Sequence, residues 1–112
     1  MIDFVIQNKY LGGFSSFLSY GWGNGYVAIP PNHPLYYKSD RFLNELVDVS
    51  GGITFDGLAH TLNNSKPDNV PNDYRVIGFD TMHYDNDAYT HDELFVRIET
   101  KRLRKQLEDY KE

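Results

Sequence analysis

Alternation of apolar and polar positions opens the chain. Ile2, Phe4 and Ile6 alternate with Asp3, Val5 and Gln7, the two-residue period of a strand with one buried face. Tyr26 to Ile29 is β-prone and is ended by Pro30-Pro31, because proline supplies no N–H to a ladder. Val47 and Val49 around Asp48 predict another strand, and Ile53-Thr54-Phe55 predicts the next, closed by an Asp56-Gly57 turn. Val76-Ile77-Gly78-Phe79 is an almost unbroken apolar run. It reads as a strand buried on both faces, although a run this short also suits a buried piece of helix.

Helical periodicity occurs twice. Ser39 caps a predicted short helix over Asp40 to Leu46 that buries Phe42, Leu43 and Leu46. Thr90 and Glu93 match a capping box opening a long helix, about Asp92 to Tyr110. Its apolar residues form two stripes: Leu94, Phe95 and Ile98 on one face, Val96, Leu103, Leu107 and Tyr110 on another. The first half is expected to pack on the sheet. The second half, rich in Lys101, Arg102, Arg104 and Lys105, is expected to project into solvent or a partner subunit, giving a homo-oligomer through the C-terminal helix.

Leu11 to Tyr20 fits either a short helix or an irregular hairpin arm. Gly21-Trp22-Gly23-Asn24-Gly25 reads as a tight turn. His60 to Asp73 is the longest polar loop, of a length that is usually mobile or functional. Strands come first and one long helix last, with few crossover helices between. The expected fold is α+β: a small, mainly antiparallel sheet with one long C-terminal helix (91–112), in a single domain spanning 1–112.

Composition narrows the function classes. With a net charge of -5 and a pI near 5.2, the chain lacks the basic footprint of a sequence-independent nucleic-acid binder. It has no cysteine, so disulfides and thiolate metal sites are out. No apolar run approaches the ~20 residues of a membrane span, and the start lacks a signal-peptide layout. A cytosolic protein without a membrane partner is expected. Nine tyrosines, seven phenylalanines and one tryptophan suffice for a core and leave rings for a binding surface.

Candidate chemistry gathers where the Val76–Phe79 run ends. Asp80, Thr81, His83 and Tyr84 follow directly, with Asp85, Asn86 and Asp87 beyond, and a rigid strand is a good support for functional groups. Gly51-Gly52, with Asp48, Ser50 and Thr54 around it, reads as a bend or bulge, or as backbone that an anion or sugar edge could approach closely. His33, Asp80, His83, Asp85 and His91 are residue types that suit zinc or manganese, but they lack close ligand spacing, and mutual hydrogen bonding explains them as well. Asp85-x-Asp87 fails the calcium-loop pattern, with Thr90 at the sixth position and Val96 at the twelfth. Gly21-x-Gly23-x-Gly25 is not followed by the helix that a dinucleotide fingerprint requires. No Gly-x-Ser-x-Gly elbow is present. The acidic residues Asp85, Asp87, Asp92 and Glu93 suit the N-terminal end of a helix. No cofactor, resident metal or catalytic residue is assigned.

The Gly25-Tyr26-Val27-x-Ile29-Pro30-x-x-His33-Pro34-Leu35-Tyr36, Val47-x-Val49-x-Gly51-Gly52-Ile53-Thr54-Phe55 and Val76-Ile77-Gly78-Phe79-Asp80-x-x-His83 runs together resemble a family of short phage and prophage accessory proteins. That family often has His before the Gly-Gly and Trp near the late strand, where this chain has Ser50 and Tyr74 or Arg75. The resemblance implies an accessory protein acting in the host cytoplasm, in the setting of counter-defence. In that setting the preferred expectation is a protein that binds and sequesters a small nucleotide-type signal. Trp22, Tyr26, Tyr36, Tyr37 and Tyr84 would stack bases; His33, Gly51, Gly52, Thr54, Asp80 and His83 would meet phosphate or ribose. One alternative is an inhibitor of a host defence nuclease, with an acidic, aromatic surface and no polar pocket. Another is a metal-assisted phosphodiesterase, which needs His33, Asp80 and His83 to converge.

Overall fold

The computed structural model describes residues 1–8, 21–81 and 91–112. Four strands, β1 (Ile2–Gln7), β2 (Gly23–Ile29), β3 (Phe55–Leu58) and β4 (Arg75–Phe79), form one sheet in the order β1-β2-β4-β3. Every neighbouring pair is antiparallel. Helix α1 (Asp40–Leu46) lies between β2 and β3, and helix α2 (Glu93–Glu108) follows β4. This is the expected α+β architecture, with α2 as the long C-terminal helix. No described helix is long and apolar enough to cross a membrane.

Strand alternation gives the sheet two apolar faces. Val27, Ile29, Ile77 and Phe79 point to one and join Leu35, Leu43, Val96, Leu103 and Leu107 in the larger core. Phe4, Tyr26, Ala28 and Val76 point to the other and join Ala59 and Val70. The apolar run Val76 to Phe79 is thus a central strand buried on both sides, as its lack of alternation predicts.

Five sequence expectations are corrected. Residues 47 to 54 form no strand; they run as irregular backbone beside α2, bonded to Gln106 and Glu99, before joining β3. Asp56 and Gly57 are not a turn but lie inside β3, opposite Ile77 and Val76. Gly23-Asn24-Gly25 also belongs to a strand, the start of β2. Packing explains that last case: a methyl on Gly25 would overlap Thr100 Oγ1 and the Phe79 ring, so glycine here lets α2 sit close to the sheet. The fourth correction concerns α2. Val96, Glu99, Thr100, Leu103 and Leu107 form its buried face along the whole length, while Leu94 and Ile98 are exposed.

The late half of α2 therefore packs on β1 and β2 rather than projecting. Two polar residues sit on its buried face, and both are satisfied. Thr100 Oγ1 donates to the Val96 carbonyl at 2.6 Å, and Glu99 accepts from Arg102 and from the Ser50 amide. The N-cap of α2 is Asp92, whose carboxylate accepts from Phe95 N–H at 2.9 Å, so Glu93 is its first residue. Thr90 lies outside the described residues, as do Leu11 to Tyr20. Helix α1 begins as expected, Ser39 Oγ accepting from Phe42 N–H at 3.0 Å; the fifth correction is that it buries only Leu43 fully and leaves Leu46 exposed.

Candidate ligand-binding site

The antiparallel register decides which predicted site residues can meet. Gly25 pairs with Phe79, and Ile29 pairs with Arg75. Asp80 leaves the sheet where β2 begins, whereas His33 and Tyr36 follow β2 out of the opposite end. Four residues of strand separate the two ends, about 13 Å at the ordinary rise. Gly51, Gly52 and Thr54 lie at the Asp80 end, since Thr54 N–H donates to the Gly78 carbonyl at 2.9 Å. His83 and Tyr84 lie outside the described residues, as do Asp85, Asn86 and Asp87.

At the Asp80 end, the Gly51-Gly52 bend has φ of 76° and 78°, a left-handed pair that glycine adopts without strain. Most of the backbone N–H groups around it are already committed. Ser50 N–H donates to Glu99 Oε2 at 2.7 Å, Gly52 N–H to the Val49 carbonyl at 2.9 Å, and Ile53 N–H to Asn44 Oδ1 at 3.1 Å. Gln106 adds a two-way clasp, accepting from Asp48 N–H at 2.7 Å and donating to the Asp48 carbonyl at 2.9 Å. A carboxylate of the chain itself, Glu99, takes the place an external anion would occupy. Hydrogen bonds from Arg102 hold that carboxyl below its ordinary range; partial burial works against this, and the Ser50 amide reinforces it. This bend is a structural clasp between loop and helix.

At the other end, His33 Nδ1 accepts from Leu35 N–H at 3.1 Å. Burial lowers its pKa, and the positive charge of the Met1 amino group acts in the same direction. Tyr36 donates its hydroxyl to the Asp73 carbonyl and sits edge-on to Tyr37, with ring centroids 4.8 Å apart. Of the rings expected to stack bases, Tyr26 is buried, stacked on Phe4 at 5.2 Å, and Trp22 is half-buried against the larger core. Tyr37 is 85% exposed.

The same end carries the polar loop between β3 and β4. Its base is closed by Ala59 N–H to the Tyr74 carbonyl at 2.8 Å and His60 N–H to the Asn72 carbonyl at 3.2 Å. Ala59 and Val70 are fully or almost fully buried in the smaller core, and Leu62 and Tyr74 pack beside them. A long loop with joined ends and its own apolar anchors is an Ω-type loop, a form often put to functional use. Two short 3₁₀ turns over Ala59–Ser65 meet at Asn63, whose φ of 51° and ψ of -124° break the helix. That backbone is unfavourable for any residue but glycine and costs about 1–3 kcal/mol.

The loop carries an open surface cavity of about 540 Å³ lined by His60, Asn63, Lys66, Asp68 and Asn72, of which all but Lys66 are exposed. Such a volume is in the usual range for small-molecule sites. Lys66 is half-buried, and its ammonium is aimed by a 2.7 Å hydrogen bond to the Val70 carbonyl. All five lining side chains are polar; they can donate, accept and carry charge. In the sequence this stretch reads only as a long polar loop. The excess of Asn, Asp and Pro was the available signal, but the closure that makes a cavity depends on Ala59 and His60 bonding to Tyr74 and Asn72, more than ten residues away.

Among the described residues, no three His, Asp or Glu side chains gather as a metal site. His33 and Asp80 do not converge, so the phosphodiesterase arrangement that needs them together is not formed. Comparison of the chain with family models, with curated proteins and with solved structures gave no match.

Proposed function

We propose that this protein binds and does not break its ligand: it captures a small nucleotide-type signal non-covalently, as a phage accessory factor of counter-defence in the host cytoplasm. The observation that carries this reading is the polar cavity of the β3–β4 loop, lined by His60, Asn63, Lys66, Asp68 and Asn72. Its residues supply hydrogen bonds and one fixed cation. Such a lining suits a charged, hydroxyl-bearing ligand better than an apolar one. Tyr37 supports the same reading, as an exposed ring beside Tyr36, whose hydroxyl reaches Asp73 next to Asn72. A base-stacking surface and a polar cradle are then parts of one end of the molecule. The inhibitor alternative expects an acidic surface without a polar pocket, so the cavity favours capture.

Calorimetry against cyclic oligonucleotides and ADP-ribose derivatives, followed by heat release and chromatography of each ligand, tests the proposal. Saturable binding with the ligand recovered intact is the expected result. A new product peak, or no heat with any compound, would overturn it.

A further inference from the structure

We infer that the loop cavity recognises the pentose-phosphate portion of its ligand, with Lys66 at the phosphate and Asp68 at the sugar hydroxyls; this rests on the capture reading above and specifies it. The lining supplies the reason. A lysine ammonium has three donors, and Lys66 commits one of them to the Val70 carbonyl. Among the described residues no carboxylate forms a salt bridge with it. In a chain of net charge -5, a half-buried lysine of this kind provides a local attraction for an anion.

Asp68 lines the same cavity. An ionised carboxylate only accepts hydrogen bonds, so the ligand must offer donors there. Hydroxyl groups meet that need, and the amides of Asn63 and Asn72 can both donate to and accept from them. A bare phosphate would be repelled by Asp68, and a free sugar would leave Lys66 unused. A phosphorylated pentose satisfies both groups at once, and the cavity volume of about 540 Å³ leaves room for the remainder of a nucleotide.

The test is calorimetry of the full chain with ribose 5-phosphate, ribose and inorganic phosphate, for wild type, Lys66→Met, Lys66→Arg and Asp68→Ala. Ribose 5-phosphate should bind at least roughly tenfold tighter than either fragment. Lys66→Met should weaken it by roughly tenfold or more, and Lys66→Arg should restore most of the loss. Asp68→Ala should weaken ribose 5-phosphate while leaving inorganic phosphate unchanged or tighter. Inorganic phosphate binding as tightly as ribose 5-phosphate, or both Lys66→Met and Asp68→Ala binding like wild type, would overturn the inference. If nucleotide signals still bind both variants normally, capture stands and this site assignment falls. If ribose 5-phosphate binds as described but no nucleotide signal does, the site stands and the capture of such signals falls.

Discussion

Arg75 grips Asp56 with both arms of its guanidinium, Nε to Oδ1 at 2.9 Å and Nη2 to Oδ2 at 2.6 Å. The remaining nitrogen, Nη1, donates to the carbonyls of Leu35, Tyr36 and Lys38. One side chain at the start of β4 therefore holds β3, at Asp56, and the segment carrying Tyr36 and Tyr37. It also stands next to Tyr74, where the polar loop closes. Lysine cannot reproduce a planar two-pronged contact.

Replacing Arg75 by Lys should accordingly cost about 2 kcal/mol in urea unfolding, because several charge-assisted bonds, three of them to part-buried carbonyls, are weakened together. A change within about 0.5 kcal/mol, the usual range for surface substitutions, would show that the clamp does not organise this end.

Acid should loosen the clasp at the opposite end. The Glu99 carboxyl is depressed below its unfolded value of 4.5 by Arg102 against partial burial, with help from the Ser50 amide. Its contribution is therefore complete above that value and is lost as pH falls through the lower folded one. Thermal midpoints of wild type and Glu99→Gln should converge as pH drops below about 4 and separate near neutrality. A constant gap across that range would contradict the linkage.

His33 works with the same sign but at higher pH. Burial, aided by the Met1 amino group, keeps its folded pKa below 6.5, and its neutral Nδ1 accepts from Leu35. The unfolded chain takes up the proton first, so stability falls as pH descends from 6.5 toward the folded value and is fully present above it. Comparing thermal midpoints at about pH 7.5 and about pH 5.5, wild type should lose more than His33→Gln. Equal losses would remove His33 from this role.

Asn63 offers a test of strain in the cavity wall. Glycine adopts φ near +51° with ψ near -124° without penalty. Asn63→Gly should raise the thermal midpoint by about 2–5 °C, after allowing for the greater freedom of glycine in the unfolded chain. A lowered midpoint would mean that the Asn63 side chain contributes more to the loop than its backbone costs.

Much of the fold was legible because local signals and burial agreed. The Ile2-Phe4-Ile6 alternation, the Val76–Phe79 run and the Ser39 cap each coincide with an element of the structure. The chain was misread where tertiary packing outvoted local preference. Gly23 and Gly25 look like a turn but are strand positions, with Gly25 kept small by Thr100 and Phe79. Asp56-Gly57 looks like a turn too, yet pairing with β4 and the Arg75 contact hold it extended. On α2, Glu99 and Thr100 disguise the buried face, because their polarity is cancelled by partners remote in sequence or one turn away.

The candidate site followed the same rule. His33, Tyr36, Gly51, Gly52, Thr54 and Asp80 stand out by their chemistry, and the strand register sends them to two ends of the sheet. The cavity residues carried no motif, because the loop becomes a cradle only when Ala59 and His60 bond to Tyr74 and Asn72.

The most direct test of capture in the loop is a titration of isotope-labelled protein with ADP-ribose, following amide and phosphorus resonances in one sample. Amide shifts centred on His60, Asn63, Lys66, Asp68 and Asn72, with ligand phosphorus signals that persist without new peaks, are the predicted result. Shifts centred on Asp48 to Thr54 instead, no shifts at all, or the growth of new phosphorus signals would contradict it.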